Sequence, residues 1–273
     1  CQNCQEIFDT IIAAYRLAED PEVLVPVLVS YDGWYISYLI ERVEVATQES
    51  VNRFLSPVAQ VGRLKYVPGY VGEPTWVHGY IEPSNRVVAQ GPANRNELRL
   101  KHELATDRAK DKLEEIAEEF EEIFGRPLVG QIEEYKTDDA EILLVAMGSE
   151  AMTARVVVDK KRNEGIKVGL VRIKMFRPCP KKKLTKVFAG KKSIGVLEQG
   201  ICHGWNTGFL LLDIKAILYD AKVNIPVPNF LTGMSGDDIT TEQIEQAIDI
   251  TYKASRGEDY REVTWLSMPY LYE

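Results

Sequence analysis

Cysteine is scarce in this chain: Cys1, Cys4, Cys179 and Cys202 are the only four among 273 residues. That density excludes a disulfide scaffold at this length and points to a reducing cytoplasm. Cys1 and Cys4 have C-x-x-C spacing, yet no second pair and no histidine cluster completes a four-ligand set. A structural role is therefore favoured over metal or redox chemistry. Histidine is as rare, at three residues, and His78 and His102 lack the spacing of a metal site. Long apolar runs are missing: none reaches the roughly 18 residues that a membrane helix needs. No signal peptide is visible. Basic excess is missing as well. The formal net charge is −8, which argues against nucleic acid and suits a basic partner or plain solubility. Neither G-x-G-x-x-G nor G-x-x-x-x-G-K-[ST] occurs, so nothing supports a dinucleotide or P-loop site.

What is present is ordinary soluble composition, 45% hydrophobic and 27% charged, in a length suited to one large domain or two ordinary ones. The most informative stretch is residues 139–200. Three apolar runs end in Gly148-Ser149, in Phe176-Arg177-Pro178 and in Glu198-Gln199-Gly200, with helical patterns between them. That alternation predicts an α/β fold, a mostly parallel sheet with helices on both faces. Strands are expected at Glu141–Ala146, Val168–Ile173, Ser193–Leu197 and Val227–Leu231. Helices are expected at Ala151–Asn163, Lys181–Phe188, Asn206–Leu218 and Thr241–Ser255. The turns after the strands lie at the carboxyl edge of the sheet, where such folds place ligands or partners.

The earlier half is organised differently. Asn3 and Glu6 have capping-box spacing, and Ile7, Phe8, Ile11, Ile12, Tyr15 and Ala18 follow as a helical stripe that runs to about Glu19. Val23–Val29 is rich in β-branched residues and predicts a strand, which Pro26 demotes toward an edge. Asp32-Gly33 makes a turn, followed by Trp34, Tyr35 and Tyr38. Residues 56–100 carry scattered prolines and glycines without periodicity and are expected to form an extended connector. From Leu98 to Phe124 a helix is expected, with Leu104, Ala109, Leu113, Ile116, Ala117, Phe120 and Phe124 on its apolar face and a run of glutamates on its solvated face. Four regions are thus expected: 1–55, 56–128, 129–256 and a tail at 257–273 that packs on a neighbour. The first residue is cysteine rather than methionine and already resembles a helix entrance, so part of the protein is expected to precede it.

Candidate contact residues lie in the three turns. Gly148 and Ser149 can present a helix N-terminus to an anion, although a plain capping role for Ser149 is favoured. Arg177 can bind a carboxylate or phosphate, with a structural or interface pairing preferred. Gln199 sits at the third strand end. Cys202 and His203 are sequence neighbours with no orienting group, so nucleophilic catalysis is disfavoured. Asp237 and Asp238 are a weak cation signal, and a turn and cap leading to Thr240 and Gln243 is preferred.

Taken together, D-A-E-I-L-L-V-A-M-G-S, G-I-K-V-G-L-V-R-I-K-M-F-R-P and S-I-G-V-L-E-Q-G resemble the transketolase C-terminal-type domain. More narrowly, they resemble its version in the α chain of 2-oxoacid:ferredoxin oxidoreductases, of which pyruvate:ferredoxin oxidoreductase is the commonest. N-C-Q-E-I-F-D-T-I-I-A-A-Y-R-L-A-E, V-L-V-P-V-L-V-S-Y-D-G-W and V-N-R-F-L-S-P are similar to the end of that family's first, thiamine-binding-type domain. F-E-E-I-F-G-R and N-F-L-T-G-M-S-G-D-D-I-T also fit. The resemblance implies oxidative decarboxylation of a 2-oxoacid, pyruvate first, with thiamine diphosphate and Mg2+, [4Fe-4S] clusters, coenzyme A as acyl acceptor and ferredoxin as electron acceptor. It implies partners too: a thiamine/iron–sulfur β subunit, and γ and ferredoxin-like δ subunits. Cofactors are expected on other chains or on the upstream domain, with no catalytic, cofactor-binding or metal residue here and a mainly architectural role for this segment. Where relatives carry Ser-His after the Asp-Gly-aromatic turn, this chain has Ser37-Tyr38, for which ordinary packing is preferred over a taste for aromatic oxoacids. The alternatives are a transketolase or 2-oxoacid dehydrogenase E1-type subunit, and a non-catalytic assembly chain.

Overall fold

The computed structural model of the protein describes residues 1–20, 22–55, 75–76, 79–81, 87–88 and 92–268. They fall into two compact units, one of residues 5–30 and 42–131, the other of residues 1–4, 31–41 and 132 onward.

The first unit is built on helices. Its stripe of apolar residues folds α1 (Cys4–Ala18), which buries Ile12, Ala13 and Leu17. The strand expected at Val23–Val29 does not form: Val23 lies in a turn, Leu24 has φ +44°, and the segment joins no ladder among the described residues. Pro26 offers no N–H, and Val23 and Val25 are buried against the helices instead. α2 (Gln48–Phe54) starts at Thr47, whose hydroxyl accepts from the Ser50 N–H. Within the expected connector, β1 (Thr75–Trp76), β2 (Gly79–Ile81) and β3 (Val87–Val88) form a three-stranded antiparallel sheet. Most of the connector's prolines and glycines lie outside the described residues. α3 (Pro92–Phe124) begins earlier than the expected Leu98, with proline in the first turn where its missing N–H is harmless. The expected stripe is buried from Ala109 to Phe120, with Leu113 and Phe124 packed against it, while Leu104 is half-exposed and its neighbour Ala105 takes the buried place. Phe54 packs edge-on to Phe120 and Phe124, at 5.4 Å from each ring. Just past Gly125, Arg126 makes two hydrogen bonds to the buried Asp9 carboxylate, at 2.6 and 2.9 Å. That paired geometry holds the start of the chain to the end of α3.

In the second unit a six-stranded sheet has the order β4-β6-β5-β7-β8-β9. Its strands are β4 (Ile132–Tyr135), β5 (Ile142–Ala146), β6 (Val168–Ile173), β7 (Ser193–Glu198), β8 (Asn229–Leu231) and β9 (Val263–Trp265). All neighbours are parallel except β4, which runs antiparallel to β6. Every residue of β5, β6 and β7 is buried, as expected for strands covered on both faces. The helices are α4 (Glu150–Asn163), α5 (Lys181–Phe188), α6 (Phe209–Asp220) and α7 (Thr241–Ser255). Alternate residues of β5 separate into two cores. Leu143 and Val145 meet Leu184, Phe188, Leu210 and Ile214 of α5 and α6. Ile142, Leu144 and Ala146 meet Ala154, Val158, Ile244 and Ile248 of α4 and α7. The strand period of two thus decides which helix covers which face.

Two strands of this sheet were not expected from sequence. β4 is held by a cross-strand pair: Glu133 lies opposite Arg172 in register, and the fully buried guanidinium Nε donates to Glu133 Oε2 at 2.6 Å. β9 lies in the expected tail. Residues 263–265 join the sheet edge beside β8, and residues 269–273 lie outside the described residues. Among the described residues no helix is long and apolar enough to cross a membrane.

Candidate functional site

Because β5, β7 and β8 are parallel, their exits share one edge of the sheet. A shallow, open cleft lies there, lined by the 32–35 turn, the first turn of α4 and the loop at 233–239. Asp32 organises the turn. Its Oδ1 accepts from the backbone N–H of Trp34 at 2.9 Å and of Tyr35 at 2.7 Å, an Asx-type turn that aims both aromatic rings outward. Its Oδ2 accepts from Ser149 Oγ at 3.3 Å. The Trp34 ring packs over Gly236, where a Cβ would come within 2.9 Å of the indole and where φ is +82°. Space and backbone both require glycine there.

Ser149 does not cap α4. Its backbone is already helical, at φ −66° and ψ −31°, and its side chain makes no capping bond. Capping needs an extended residue whose side chain folds back over the first turn; the helical backbone turns this hydroxyl to Asp32 instead. Gly148, at φ +67°, makes the bend that permits this. The next residue, Glu150, is the unusual one. It is 2% exposed, its Oε1 accepts from the Met147 N–H at 3.0 Å, and its Oε2 has no hydrogen-bond partner. Burial, reinforced by the nearby Glu198 and Asp32 carboxylates, pushes its pKa up to about 8. The Met147 N–H and the Gln199 amide act in the opposite sense, though the amide gives Oε2 no well-formed hydrogen bond. At neutral pH this side chain is a carboxylic acid in the floor of the cleft.

Of the residues singled out from sequence, Gly148, Ser149 and Gln199 converge here, as does Asp237 on the rim. Arg177 does not. It donates to both carboxylate oxygens of Asp213 on α6, at 2.7 and 3.0 Å, with its guanidinium 4.1 Å from the Phe176 ring centre. The pairing is internal to this unit. Glu198 is likewise occupied. Its oxygens accept from the Leu210 and Leu211 N–H groups at 2.7 and 2.9 Å, at the positive end of α6. Asn229 donates to it at 2.9 Å while accepting from Thr207 and from the Gly208 N–H. A Cβ at Gly208 would fall on that carboxylate. Burial raises the Glu198 pKa despite these donors.

The capping box of Thr240 and Gln243 is present. All four cysteines are free thiols. Burial, with Glu41 nearby, raises the pKa of Cys4, which disfavours the thiolate that metal or redox chemistry needs. Among the described residues no three His, Cys, Asp or Glu side chains converge on a point that could hold a metal ion. Sequence alone pointed to the turn but not to Glu150, because a glutamate in a first helical turn reads as an exposed, dipole-favoured residue. The only available signal was its place directly after a glycine-serine bend.

Two family models match this chain. Residues 140–244 match "Pyruvate:ferredoxin oxidoreductase core domain II". Residues 1–122 match "Pyruvate flavodoxin/ferredoxin oxidoreductase, thiamine diP-bdg". Pyruvate synthase subunit PorA of Methanosarcina barkeri is 35% identical over 94% of this chain and 60% of its own length. The subunit of that name from Pyrococcus furiosus is 35% identical over 98% of this chain and 64% of its own length. The α subunit of the NADH-dependent phenylglyoxylate dehydrogenase of Aromatoleum evansii is 31% identical over 94% of this chain and 60% of its own. The chain therefore spans about three fifths of the length of these relatives.

Proposed function

The chain belongs to the pyruvate:ferredoxin oxidoreductase family, and from that premise we propose that it serves in a thiamine diphosphate-dependent 2-oxoacid:ferredoxin oxidoreductase. The reaction is the CoA-dependent oxidative decarboxylation of a 2-oxoacid: the acyl group passes to CoA, carbon dioxide leaves, and two electrons pass through iron–sulfur clusters to ferredoxin. Pyruvate is the first substrate to try, because pyruvate synthase subunits are among the relatives that match along almost the whole chain. The partners are a thiamine/iron–sulfur β subunit and γ and δ subunits, in the cytoplasm.

Within that complex the role of this segment is architectural. The observation that carries this is the internal occupation of the family-like turns: Arg177 is held by Asp213, and Glu198 by Asn229 and the N–H groups of α6. The donor set of the described residues does not fit a [4Fe-4S] cluster, which needs four converging thiolates, nor a resident metal ion. In this reading thiamine diphosphate, Mg2+ and the clusters are held by other chains or by another part of the full-length protein, and no catalytic step is assigned to residues described here.

The test is turnover by the native complex containing the full-length chain. Ferredoxin or viologen reduction is measured with pyruvate, 2-oxoglutarate, branched-chain and aryl 2-oxoacids, with and without CoA and thiamine diphosphate. Dependence on both, with the highest kcat/KM for pyruvate, is expected. No turnover on any of these oxoacids would overturn the proposal, and an aryl preference would move the substrate toward phenylglyoxylate.

A further inference from the structure

The segment at residues 31–41 carries an inference that goes beyond the oxidoreductase assignment and does not depend on it. We propose that this segment is a pH-gated strap, closed on the sheet edge while Glu150 holds its proton and released when Glu150 ionises.

Its place in the chain makes it a strap. Residues 5–30 and 42–131 on either side belong to the first unit, while 31–41 pack with the second. Few bonds hold it there, and it joins no ladder among the described residues. Asp32 accepts from the Ser149 hydroxyl, the Trp34 ring lies over Gly236, and Glu41 accepts from the Cys4 N–H at 2.9 Å. Ile36 is buried, whereas Trp34, Tyr35, Tyr38, Leu39 and Ile40 are exposed. A segment with so few buried contacts opens at low cost.

Glu150 supplies the gate. Its side chain is buried, and Oε2 has no hydrogen-bond partner. The charged groups facing it are acids: Glu198 from the end of β7, Asp32 from the strap, and Asp237 on the cleft wall from the loop after β8. No lysine, arginine or histidine is among the residues lining the cleft. The Met147 N–H and the Gln199 amide are the neutral groups that favour the carboxylate, and burial outweighs them. An ionised Glu150 therefore needs water, and one of the elements around it must give way. β7 is buried along its whole length, and α4 buries Ala151, Ala154, Val157 and Val158 in the core. The strap is the loosest wall, and opening it hydrates the carboxylate. The closed strap keeps the proton between the carboxyl's ordinary value of 4.5 and about 8, whereas the open one loses it. Opening should accordingly grow by up to about tenfold per pH unit across that window and level off above it.

Hydrogen exchange of the full-length chain in its native complex, read by mass spectrometry, tests this. Protection is taken relative to an unstructured chain at each pH, from about 5 to about 9. The Trp34, Tyr35 and Ser37 amides, which donate to Asp32, are the reporters. Their protection should fall by up to about tenfold per unit until about pH 8 and then level off. Peptides of β5 and β7 should exchange far more slowly at every pH, which marks the opening as local. Glu150→Gln has no proton to release, so its strap should lose the pH dependence. Ser149→Ala removes the hydroxyl that holds Asp32, and its outcome does not depend on Glu150→Gln folding well. It should lower the protection of the strap severalfold at every pH and leave the native slope in place. The proposal is overturned if strap protection does not change with pH, or if the strap exchanges no faster than β5 and β7. It is overturned equally if Glu150→Gln keeps the native slope, which would move the titration to Glu198, or if Ser149→Ala is as protected as the native protein. None of these results bears on 2-oxoacid turnover, so the two proposals fail separately.

Discussion

At the scale of single residues, Glu150 sets a clear pH signature. Its carboxyl titrates near 4.5 when unperturbed and at about 8 in the folded protein, where burial is the main cause and Glu198 and Asp32 add to it. Below pH 4.5 both folded and unfolded chains hold the proton. Between 4.5 and about 8 only the folded chain holds it, so this residue's contribution to stability falls as pH rises through that window. The slope is up to about 1.4 kcal/mol per pH unit. Glu150→Gln removes the titration. Its melting temperature should rise relative to the native protein as the pH goes from 5 to about 8, measured by scanning calorimetry. A difference between the two proteins that stays constant across that range would refute the assignment. None of this was legible in the sequence. The burial of Glu150 depends on side chains from β7 and from the 32–35 turn, and no local pattern announces them. Arg177 was legible as an ion-pairing residue, but its partner Asp213 is 36 positions away.

Elements were easier to read where they were long and strongly periodic. The helices Lys181–Phe188 and Thr241–Ser255 and the strand Val168–Ile173 begin and end where the sequence placed them. β4 and β9 were missed because each is short, half-buried and dependent on a neighbour for its ladder. Val23–Val29 failed for the converse reason: propensity was present but no strand pairs with it among the described residues. The close approach of α7 to β7 is also decided by contact rather than pattern. A Cβ on Gly195 would collide with Thr251 Oγ1 and lie 3.1 Å from Phe230, while the Thr251 hydroxyl is already tied to the Ala247 carbonyl at 2.7 Å. Gly195→Ala should destabilise the protein by about 1–3 kcal/mol, read from urea unfolding. Adding Thr251→Ala should recover part of that loss. No loss in the single variant would mean that helix and strand separate at little cost.

For the molecule as a whole, family membership and the α/β sheet were both legible, because the strand-turn-helix alternation of residues 139–200 survives as sequence. The architectural role makes a prediction at this scale. Deleting residues 130–273 from the full-length chain removes the sheet, and with it the partners of residues 31–41. The remaining subunits should then fail to co-purify as one complex, judged by size-exclusion chromatography with light scattering. A deleted complex that assembles and turns over normally would remove the basis for that role. The sequence by itself determined the class of fold, the order of the main strands and helices, and the absence of a disulfide framework. These follow from periodicities and counts that act over a few residues or over the whole composition. Only the tertiary structure decided what the turns do. It took Ser149 from its own helix and gave it to Asp32, 117 positions away, and it closed Glu198 against α6 while burying Glu150 beside it. Hydrogen-bond partners and desolvation depend on which distant segments meet, and that is fixed by packing rather than by local pattern.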